Sequence, residues 1–583
     1  MEIALIGVIG VVTIVAVAAF AKQLGVAAPL VLVVVGVATS YIPGLPSPIT
    51  VPSWVILAVV LPPLLYSSAV QVQLTDFRRN LGTISMLSVF LVIASAFVVG
   101  FVLHAILPGL DLGAAIALGA VVSPTDAVAA TSVAKRLGLP TRLVAVLEGE
   151  SLVNDASALV LLKAAIGATA ASLSLWTIAG DFVYSVVVAI AVGLVVGFVN
   201  VLVRARLKDS VLETAISFAI PFIAYIPAEF FGASGVLAVV IAGLYTGHNA
   251  AKSFSAQARL SEQINWRTIQ FLLENGVFLL MGIQLKTIIG EASSGGGSGF
   301  GAWGAVAIGI LLCLLLLAVR AIFIVPIVWR IRASQKRAPV VGERLSDGLD
   351  RLRTHREEQP AADERTERRR NSFMKYLERR EADVSDLQDS PIDWRGGVVL
   401  TWAGMRGVVT LAAAQSFPPQ TPYRPGLILI AFTVAIVTLL VKGGTLPWLI
   451  RRLGVTGSDA AADRRELAGL LEDMSKAGVA ALDEPDDVAS GQTFDPKVVE
   501  RVRQDTMLLV EAAWERAERE GSDASVYGPH EQYQALKEQV LAAERAALLD
   551  ARSRGNYSSR VLLRAQIMLD FEESRLSQRN SEM

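Results

Sequence analysis

Apolar and polar residues alternate in long blocks over most of this 583-residue sequence. A helix rises about 1.5 Å per residue, so roughly 20 apolar residues cross the hydrocarbon core of a membrane. Thirteen stretches before residue 453 are predicted by this measure to be membrane helices. They are residues 3–21, 27–43, 52–71, 81–107, 112–134, 141–169, 176–204, 211–228, 232–248, 266–286, 301–330, 396–417 and 425–450. The pattern therefore predicts an all-α polytopic membrane protein.

The Lys and Arg residues of the short loops predict how these helices are oriented. With the N-terminus outside, twelve basic residues lie in inward loops and two, Lys286 and Arg424, lie in outward loops. The twelve are Lys22, Arg78, Arg79, Lys135, Arg136, Arg142, Arg204, Arg206, Lys208, Lys252, Arg259 and Arg267. Because basic residues collect on the cytoplasmic side, the sequence predicts an outer N-terminus and a cytoplasmic C-terminus. The first stretch lacks a basic flank before it and is predicted to be a retained span, not a cleaved signal peptide.

Changes in composition divide the chain into four parts. Residues 1–330 hold spans 1–11, and residues 396–452 hold spans 12 and 13. Residues 331–395 form a charged insert, which is either a tolerated surface insertion or a regulatory element. Residues 453–583 contain three helix-like stretches, 496–520, 533–552 and 558–575. Both charged parts are predicted to be cytoplasmic, and the last one to be a helical regulatory domain whose regulator the sequence does not identify.

Several functional classes find no support in the composition. The net charge is −1 and long basic tracts are absent from the sequence, so nucleic-acid binding is not expected. One cysteine, Cys313, supports neither a disulfide framework nor a thiolate metal site, and the four histidines are scattered. The sequence therefore predicts no cofactor and no enzymatic activity.

The fifth and sixth predicted spans carry three acids, Asp126, Glu150 and Asp155. A carboxylate at the centre of a bilayer costs roughly 3 kcal/mol, so three of them point to a function. Pro124 interrupts the fifth span, because proline lacks an N–H group and clashes with the preceding turn, and Thr125 follows it directly. Interrupted helices at membrane depth are tolerated where they line a cavity, and there their polar groups are available to an ion.

Helical spacing in the sixth span puts four polar side chains on one face. Glu150 lies one turn from Asn154, and Ser151 lies one turn from Asp155. Oxygen ligands of this kind suit hard monovalent cations such as Na⁺ or Li⁺ and disfavour transition metals.

Two arginines in predicted spans, Arg320 and Arg406, are available to neutralise buried acids. Glu274 in the tenth span brings the number of such acids to four, so at least one lacks a fixed cationic partner. A carboxylate that binds either a proton or a cation is the core of an exchanger. The alternative is that acids and arginines only lock the helices together.

A second interruption is predicted in the twelfth span, where the segment G-M-R-G, residues 404–407, places two glycines in an apolar run. Interrupted spans in corresponding positions of two halves are typical of inverted-repeat transporters, whose sites lie near the midplane. Glycines that only allow close helix packing are the alternative.

The chain resembles the monovalent cation:proton antiporter-1 family, the bacterial and archaeal sodium/proton antiporters related to the eukaryotic sodium/proton exchangers. The matching motifs are L-P-P-L-L-Y (61–66), S-P-T-D-A-V-A (123–129), L-E-G-E-S-L-V-N-D (147–155), A-E-F-F-G-A-S-G-V-L-A-V-V (228–240) and G-M-R-G (404–407). They run through nearly the whole predicted membrane part. The resemblance implies inverted repeats with two interrupted, crossing helices, a homodimer, and a core domain that moves against a dimerisation domain in the inner membrane of a bacterium.

The resemblance also implies roles for individual residues. Asp155 is the expected ion-binding carboxylate, and the preceding Asn154 is typical of electroneutral members. Na⁺ is expected at Asp155, Ser151, Thr125 and Asp126. Glu150 is expected to support the cation and proton site, held by Arg320.

Two departures from the family pattern concern charge. Ser67 stands where relatives commonly have a glutamate, and we expect Glu274 to replace that charge and to face Arg406. Lys442 stands where a glutamine is more usual, and it is predicted to reach the cytoplasmic surface. Lys163 is predicted to reach the outer surface in the same way.

The sequence thus predicts a secondary antiporter that exchanges Na⁺ or Li⁺ for H⁺, one for one, by alternating access and competition at Asp155. Exchange of K⁺ for H⁺ stays open, because a ligand set without geometry does not separate the two cations. A channel or a transporter-like sensor that signals through the C-terminal domain is a further alternative. An intramembrane aspartyl protease using Asp126 and Asp155 is disfavoured, because the G-x-G-D context of such enzymes is absent from the sequence.

Overall fold

The structure, a computed structural model, consists of two compact units, residues 1–457 and residues 458–583. It describes residues 2–24, 27–42, 52, 54–126, 128–170, 175–207, 209–293, 301–358, 364–389, 392–455, 460–483, 495–518, 529–554 and 561–573, the last without 563 and 567. Every regular element in these ranges is a helix, and one isolated β-bridge joins Asp126 to Met405.

The first unit contains eighteen α-helices within its described residues. They are α1 (Glu2–Leu24), α2 (Ala28–Thr39), α3 (Leu61–Gln71), α4 (Leu74–Ser85), α5 (Leu91–Ile106), α6 (Leu112–Val122), α7 (Val128–Arg136), α8 (Thr141–Ala170), α9 (Leu175–Arg204), α10 (Ser210–Phe230), α11 (Gly235–Ser253), α12 (Ala256–Ser293), α13 (Gly301–Glu358), α14 (Glu364–Asp389), α15 (Trp394–Trp402), α16 (Val408–Gln415), α17 (Arg424–Val437) and α18 (Gly443–Leu453). Short π-helical segments lead into α3 (Val55–Val60) and join α4 to α5 (Met86–Phe90) and α17 to α18 (Thr438–Lys442).

Each predicted apolar stretch overlaps one of these helices or a pair of shorter ones. Among the described residues, six continuous helical segments are long and apolar enough to cross a membrane: Leu74–Ile106, Gly180–Arg204, Ser210–Phe230, Ala256–Ser293, Gly301–Leu352 and Arg424–Leu453. Four shorter apolar helical segments, among them Ala28–Thr39 and Leu112–Val122, accompany them. The structure is therefore that of a multi-pass membrane protein, while thirteen crossings and their orientation stay predictions.

Side chains at the helix starts show why several helices begin where they do. Asp111 accepts a hydrogen bond from the Gly113 N–H group at 2.9 Å before α6, and Asp393 accepts one from Gly396 at 3.0 Å before α15. Such caps satisfy N–H groups that have no partner within the helix. Both capped helices, α6 and α15, end at a position where a predicted membrane span is interrupted.

The interruptions lie at the predicted places. Helix α6 ends at Val122 and α7 begins at Val128, while α15 ends at Trp402 and α16 begins at Val408. The two breaks meet, because the Asp126 N–H group donates to the Met405 carbonyl at 2.7 Å. Backbone groups freed by one break are thus satisfied by the other, as burial away from water requires.

Helices of the first unit pack closely at other places as well. A Cβ atom added to Gly36 of α2 would lie 2.5 Å from the Leu279 carbonyl oxygen of α12, so the two helices touch where a side chain has no room. Helix α8 packs against α6, α4 and α9. Its polar residues therefore reach the first break.

The charged insert is helical at residues 331–358, 364–389, 394 and 395, and Ile392 and Asp393, which precede α15, are not in a helix. Helix α13 continues through residue 358, well past its apolar part, and α14 packs beside it. Arg79 of α4 donates to Asp383 of α14 at 2.7 Å and so ties α14 to the start of a membrane helix.

The second unit contains α19 (Ala460–Asp483), α20 (Pro496–Glu518) and α21 (Pro529–Arg554), with further helical residues in 561–573. Ala468, Ala513 and Ala517 form a small core between α19 and α20. The Trp514 indole donates to Glu472 at 3.1 Å across the same pair of helices. Of the predicted stretch 558–575, residues 558–560, 563, 567, 574 and 575 lie outside the described residues.

Candidate cation site

Helix α8 brings the carboxylates of the sixth predicted span to the first break. The Glu150 residue is 1% exposed and Asp155 is 9% exposed, so both acids are buried. Thr125, at the break itself, is 6% exposed. The structure thus places the acids of α8 and the polar residues of the break in one buried region.

Glu150 forms a two-pronged ion pair with Arg320 of α13. The Arg320 Nη2 atom donates to Glu150 Oε2 at 2.8 Å, and Nη1 donates to Oε1. Arg320 also donates from Nε to the Leu400 carbonyl of α15 at 2.9 Å. Parallel N–H···O bonds of this kind are strong and geometrically specific. Glu150 is therefore neutralised within the protein, by the partner that the family resemblance indicated.

Thr125 is held between Glu150 and Asn154. Its hydroxyl group donates to Glu150 Oε1 at 2.7 Å, and Asn154 Nδ2 donates to the Thr125 hydroxyl at 2.9 Å and to its carbonyl at 3.0 Å. Asn154 thereby supplies a donor for the carbonyl that the helix break leaves free. Its Oδ1 atom is buried and has no hydrogen-bond partner in the described part of the chain.

Asp155 differs from its neighbour Glu150 in its surroundings. Within the described ranges, no hydrogen bond or ion pair involves the Asp155 carboxylate, although the residue is buried. Its strongest charged neighbour is another acid, Asp126. Two neighbouring carboxylates repel each other, and a bound proton or cation relieves that repulsion. Ser151, half-buried, lies one helical turn away from Asp155.

Asp126 is packed against the second break. A Cβ atom added to Gly407 would lie within van der Waals overlap of the Asp126 carboxylate, so only glycine leaves room for this side chain. The backbone bridge from Asp126 to Met405 holds the same contact. The second glycine of G-M-R-G is therefore required by the acid of the opposite break.

Arg406 satisfies the carbonyl groups that both breaks expose. It donates from Nε to the Val122 carbonyl at 2.9 Å and from Nη1 to the Gly404 carbonyl at 2.8 Å. Its own N–H group donates to the Thr438 hydroxyl at 3.1 Å. A guanidinium at the C-terminal end of a short helix such as α6 also interacts favourably with the negative end of the helix dipole.

Lys442 corrects an expectation from the sequence. It was predicted to reach the cytoplasmic surface, but the residue is 5% exposed and its ammonium group donates to the Gly404 carbonyl at 2.9 Å. A lysine near a helix end extends to water only if the neighbouring helices leave a path. Lys163, in contrast, is exposed and pairs with Glu229 at 2.6 Å.

The expected pairing of Glu274 with Arg406 is also wrong. Glu274 accepts a hydrogen bond from the Gln270 side-chain amide at 2.7 Å, and the side-chain oxygen of Gln270, Oε1, accepts one from the Ser67 hydroxyl at 2.9 Å. All donors of Arg406 that form hydrogen bonds among the described residues go to backbone carbonyls or to Thr438. Glu274 instead interacts electrostatically with Asp126. Ser67 and Glu274 thus belong to one polar chain through Gln270.

A second buried charge cluster escaped the sequence analysis. Arg204 counted there as an inward loop residue, but it is 1% exposed and its Nη2 atom lies 2.7 Å from Glu262. Its guanidinium also lies 4.0 Å above the Phe254 ring and 4.0 Å from Glu213. Arg204 stands at the end of an apolar run, which is the one sequence feature that could have indicated its burial. An arginine in a loop after a membrane helix has the same feature, so the sequence does not distinguish the two. This cluster ties α9 to α10 and α12.

The donor set at the first break consists of carboxylate, hydroxyl and backbone oxygens. Groups of three or more His, Cys, Asp or Glu residues with metal-binding geometry are absent from the described residues. The arrangement is chemically suited to a monovalent cation that competes with a proton. The fold and the site together define a multi-pass membrane protein with a buried centre of carboxylate, hydroxyl and backbone oxygens.

Comparisons with known proteins place this chain in a family. Residues 9–452 match the family model described as "Sodium/hydrogen exchanger, transmembrane". This match covers more than half of the sequence, and the chain belongs to the transmembrane sodium/hydrogen exchangers, a family of secondary transporters rather than enzymes.

Individual relatives extend this match over nearly the whole chain. An uncharacterized Na⁺/H⁺ exchanger of Mycobacterium tuberculosis is 28% identical over 565 residues, which is 94% of this chain and 92% of the relative. The Na⁺/H⁺ antiporter ApNhaP of Aphanothece halophytica is 27% identical over 71% of this chain and 67% of its own length. The sodium proton antiporter MjNhaP1 of Methanocaldococcus jannaschii, solved at pH 8, shares the fold with a TM-score of 0.55 at 16% identity, over 78% of this chain and 99% of that one.

Proposed function

We propose that this protein exchanges Na⁺ or Li⁺ for H⁺, one for one, with Asp155 as the group that binds either ion. The observation that carries the proposal is the contrast between two buried acids on α8. Glu150 has a fixed cationic partner in Arg320, whereas Asp155 is buried beside another acid, Asp126. A buried acid that is not neutralised by the protein requires a proton or a cation.

The neighbouring oxygens supply the rest of the cation site in this proposal. Asp126 and Ser151 contribute further ligands, and the carbonyl and hydroxyl of Thr125 lie at the same break. Glu150 and Asn154 act by holding Thr125, because both form hydrogen bonds to it. Hard monovalent cations favour such an all-oxygen set.

The transport cycle follows from competition at Asp155. In the inward-facing state a cytoplasmic cation replaces the proton, the neutralised core crosses the membrane, and the cation leaves on the outer side. A proton then binds the carboxylate for the return. A pair of protomers provides the fixed frame against which each core moves, in the inner membrane of a bacterium, with the charged C-terminal unit in the cytoplasm. An inward proton gradient drives the cation out of the cell.

The test uses the full-length protein in liposomes with an internal pH dye, challenged separately with Na⁺, Li⁺ and K⁺. The proposal expects Na⁺ and Li⁺ to drive proton movement that Asp155→Asn abolishes. Glu148→Gln is the matched control, because Glu148 lies on the same helix and pairs with Lys135 at the surface. Equal activity of wild type and Asp155→Asn would contradict the proposal, and a response to K⁺ alone would show a potassium/proton exchanger.

The same preparation tests the competition. Protons occupy the carboxylate at low pH and too few protons are available at high pH, so the exchange rate is expected to pass through a maximum. A flat profile from about pH 6 to about pH 9 contradicts a titrating carboxylate as the shared site. Passive cation current without proton movement would instead favour a channel.

A further inference from the structure

A strongly basic groove lies where α4, α13 and α14 meet. Two cavities that share lining residues, of about 590 and about 1050 Å³, form this groove. The larger one has six basic side chains and one acidic side chain in its lining. The basic residues are Arg78, Arg330, Arg337, Lys375, Arg379 and Arg380, and the acid is Asp383.

Asp383 already forms ion pairs with two arginines of α4. It pairs with Arg79 at 2.7 Å and with Arg78 at 3.6 Å, which holds α14 against the membrane helix. It therefore neutralises little of the remaining charge in the groove.

Four cations of the groove have no bound acid. Side-chain hydrogen bonds and ion pairs of Arg330, Arg337, Lys375 and Arg379 are absent from the described part of the chain. Like charges that converge on one cavity repel each other, so an anion in the groove is favoured. Arginine presents a planar fork of donors that matches phosphate oxygens.

The groove lies at the end of apolar helix surface. Arg330 follows directly on the apolar run of α13, and Arg78 precedes the apolar segment that continues into α5. Trp329, which lines the larger cavity, is 74% exposed, and Tyr376 is 52% exposed. Exposed Trp and Tyr beside basic residues are typical of the membrane–water interface. A ligand with a phosphate group and an apolar tail fits both parts of this surface.

We propose that the basic groove binds the phosphate headgroup of an anionic membrane lipid. Basic pockets between membrane helices at the cytoplasmic side recognise such headgroups through clustered Lys and Arg side chains. The lipid's acyl chains would lie along the apolar parts of α13 and the α4 to α5 segment. The bound phosphate would join α13, α14 and the start of α4 through one shared anion.

Binding of short-chain phosphatidylglycerol to the full-length protein in uncharged detergent tests this site. The groove variant carries Arg330→Gln, Arg337→Gln, Lys375→Gln and Arg379→Gln. The control variant carries Arg332→Gln, Lys336→Gln, Arg365→Gln and Arg369→Gln, which removes the same number of charges from the same two helices at positions outside the groove. We expect the dissociation constant to rise at least about tenfold in the groove variant and less than about twofold in the control.

Two further arms identify the source of the phosphate. Short-chain phosphatidylcholine, which has no net charge, should bind without sensitivity to either variant. Inorganic pyrophosphate should bind much more weakly than phosphatidylglycerol. Pyrophosphate binding that is as tight as lipid binding and is lost in the groove variant would replace the lipid with a soluble phosphate ligand.

Equal loss of phosphatidylglycerol binding in both variants would overturn the proposal, because it would show a general charge effect. Unchanged binding in the groove variant would overturn it as well. The thermal unfolding transition, measured without lipid, checks that both variants fold. If the fourfold groove variant does not fold, the single variant Arg337→Gln, at an exposed position, is used to repeat the binding measurement.

Discussion

The two helix breaks meet at one point but are surrounded by ionisable groups of opposite type, acids at the first break and bases at the second. The first break, between α6 and α7, faces Glu150, which Arg320 neutralises, and three further acids, Asp126, Asp155 and Glu274. The second break, between α15 and α16, is surrounded by three bases, Arg320, Arg406 and Lys442.

The bases of the second break are committed to the protein itself. The Gly404 carbonyl accepts hydrogen bonds from both Arg406 and Lys442, and Arg406 also binds the Val122 carbonyl at the end of α6. Binding of a cation is disfavoured there, because the carbonyl oxygens already accept hydrogen bonds from basic side chains and those side chains repel a further cation. An interrupted helix is therefore not by itself an ion site, and under the proposed function the surrounding charge selects the first break as the one that receives the cation.

The fixed pair between the breaks should have the largest effect on stability. Arg320→Ala leaves the buried Glu150 carboxylate without a partner, and we expect a loss of about 3 to 5 kcal/mol in the free energy of unfolding. Unfolding of the purified protein in detergent measures this loss. Lys163→Ala, which breaks the exposed pair with Glu229, should cost at most about 1 kcal/mol. Similar losses for both variants would show that the pair at the breaks is not a special one.

Contact between the breaks comes next. Gly407→Ala places a Cβ atom on the Asp126 carboxylate. The acid must move, so the exchange rate in liposomes should fall at least about tenfold, which corresponds to roughly 1.4 kcal/mol. Gly444→Ala is the matched control, because a Cβ atom there meets no atom within 4 Å. Unaltered exchange by Gly407→Ala would separate Asp126 from the cation site.

Lys442 tests whether the second break needs its extra donor. Lys442→Met removes one of the two side-chain donors to the Gly404 carbonyl, and we expect a loss of about 1 kcal/mol in the free energy of unfolding. Lys442→Gln keeps an amide donor and should lose less. A methionine variant as stable as wild type would show that Arg406 alone satisfies this carbonyl.

The smallest effect on transport is expected from Glu274, one of the acids that the first break faces. Glu274→Gln removes an acidic group that interacts electrostatically with Asp126, while Gln270 can still form a hydrogen bond to the new amide. The apparent KM for Na⁺ should rise about threefold, which corresponds to roughly 0.7 kcal/mol. Glu291→Gln on the same helix, at an exposed position, should leave the KM unchanged. Equal KM values for all three proteins would exclude Glu274 from the charge balance of the site.

The sequence by itself determined the helices, the two breaks and the acids beside them. Hydropathy, proline and the glycine pair act locally, because membrane helices satisfy their backbone within one segment and Pro124 removes a donor wherever it stands. The spacing from Glu150 to Asp155 likewise needs only a helix.

Only the tertiary structure decided which charges meet. Glu150 and Arg320 lie 170 positions apart, and Glu274 turned to Gln270 instead of Arg406. Lys442 and Arg204 had the sequence context of surface cations and are buried. The physical reason is that the partner of a charged side chain depends on which helices pack around it. The local sequence does not specify which helices these are.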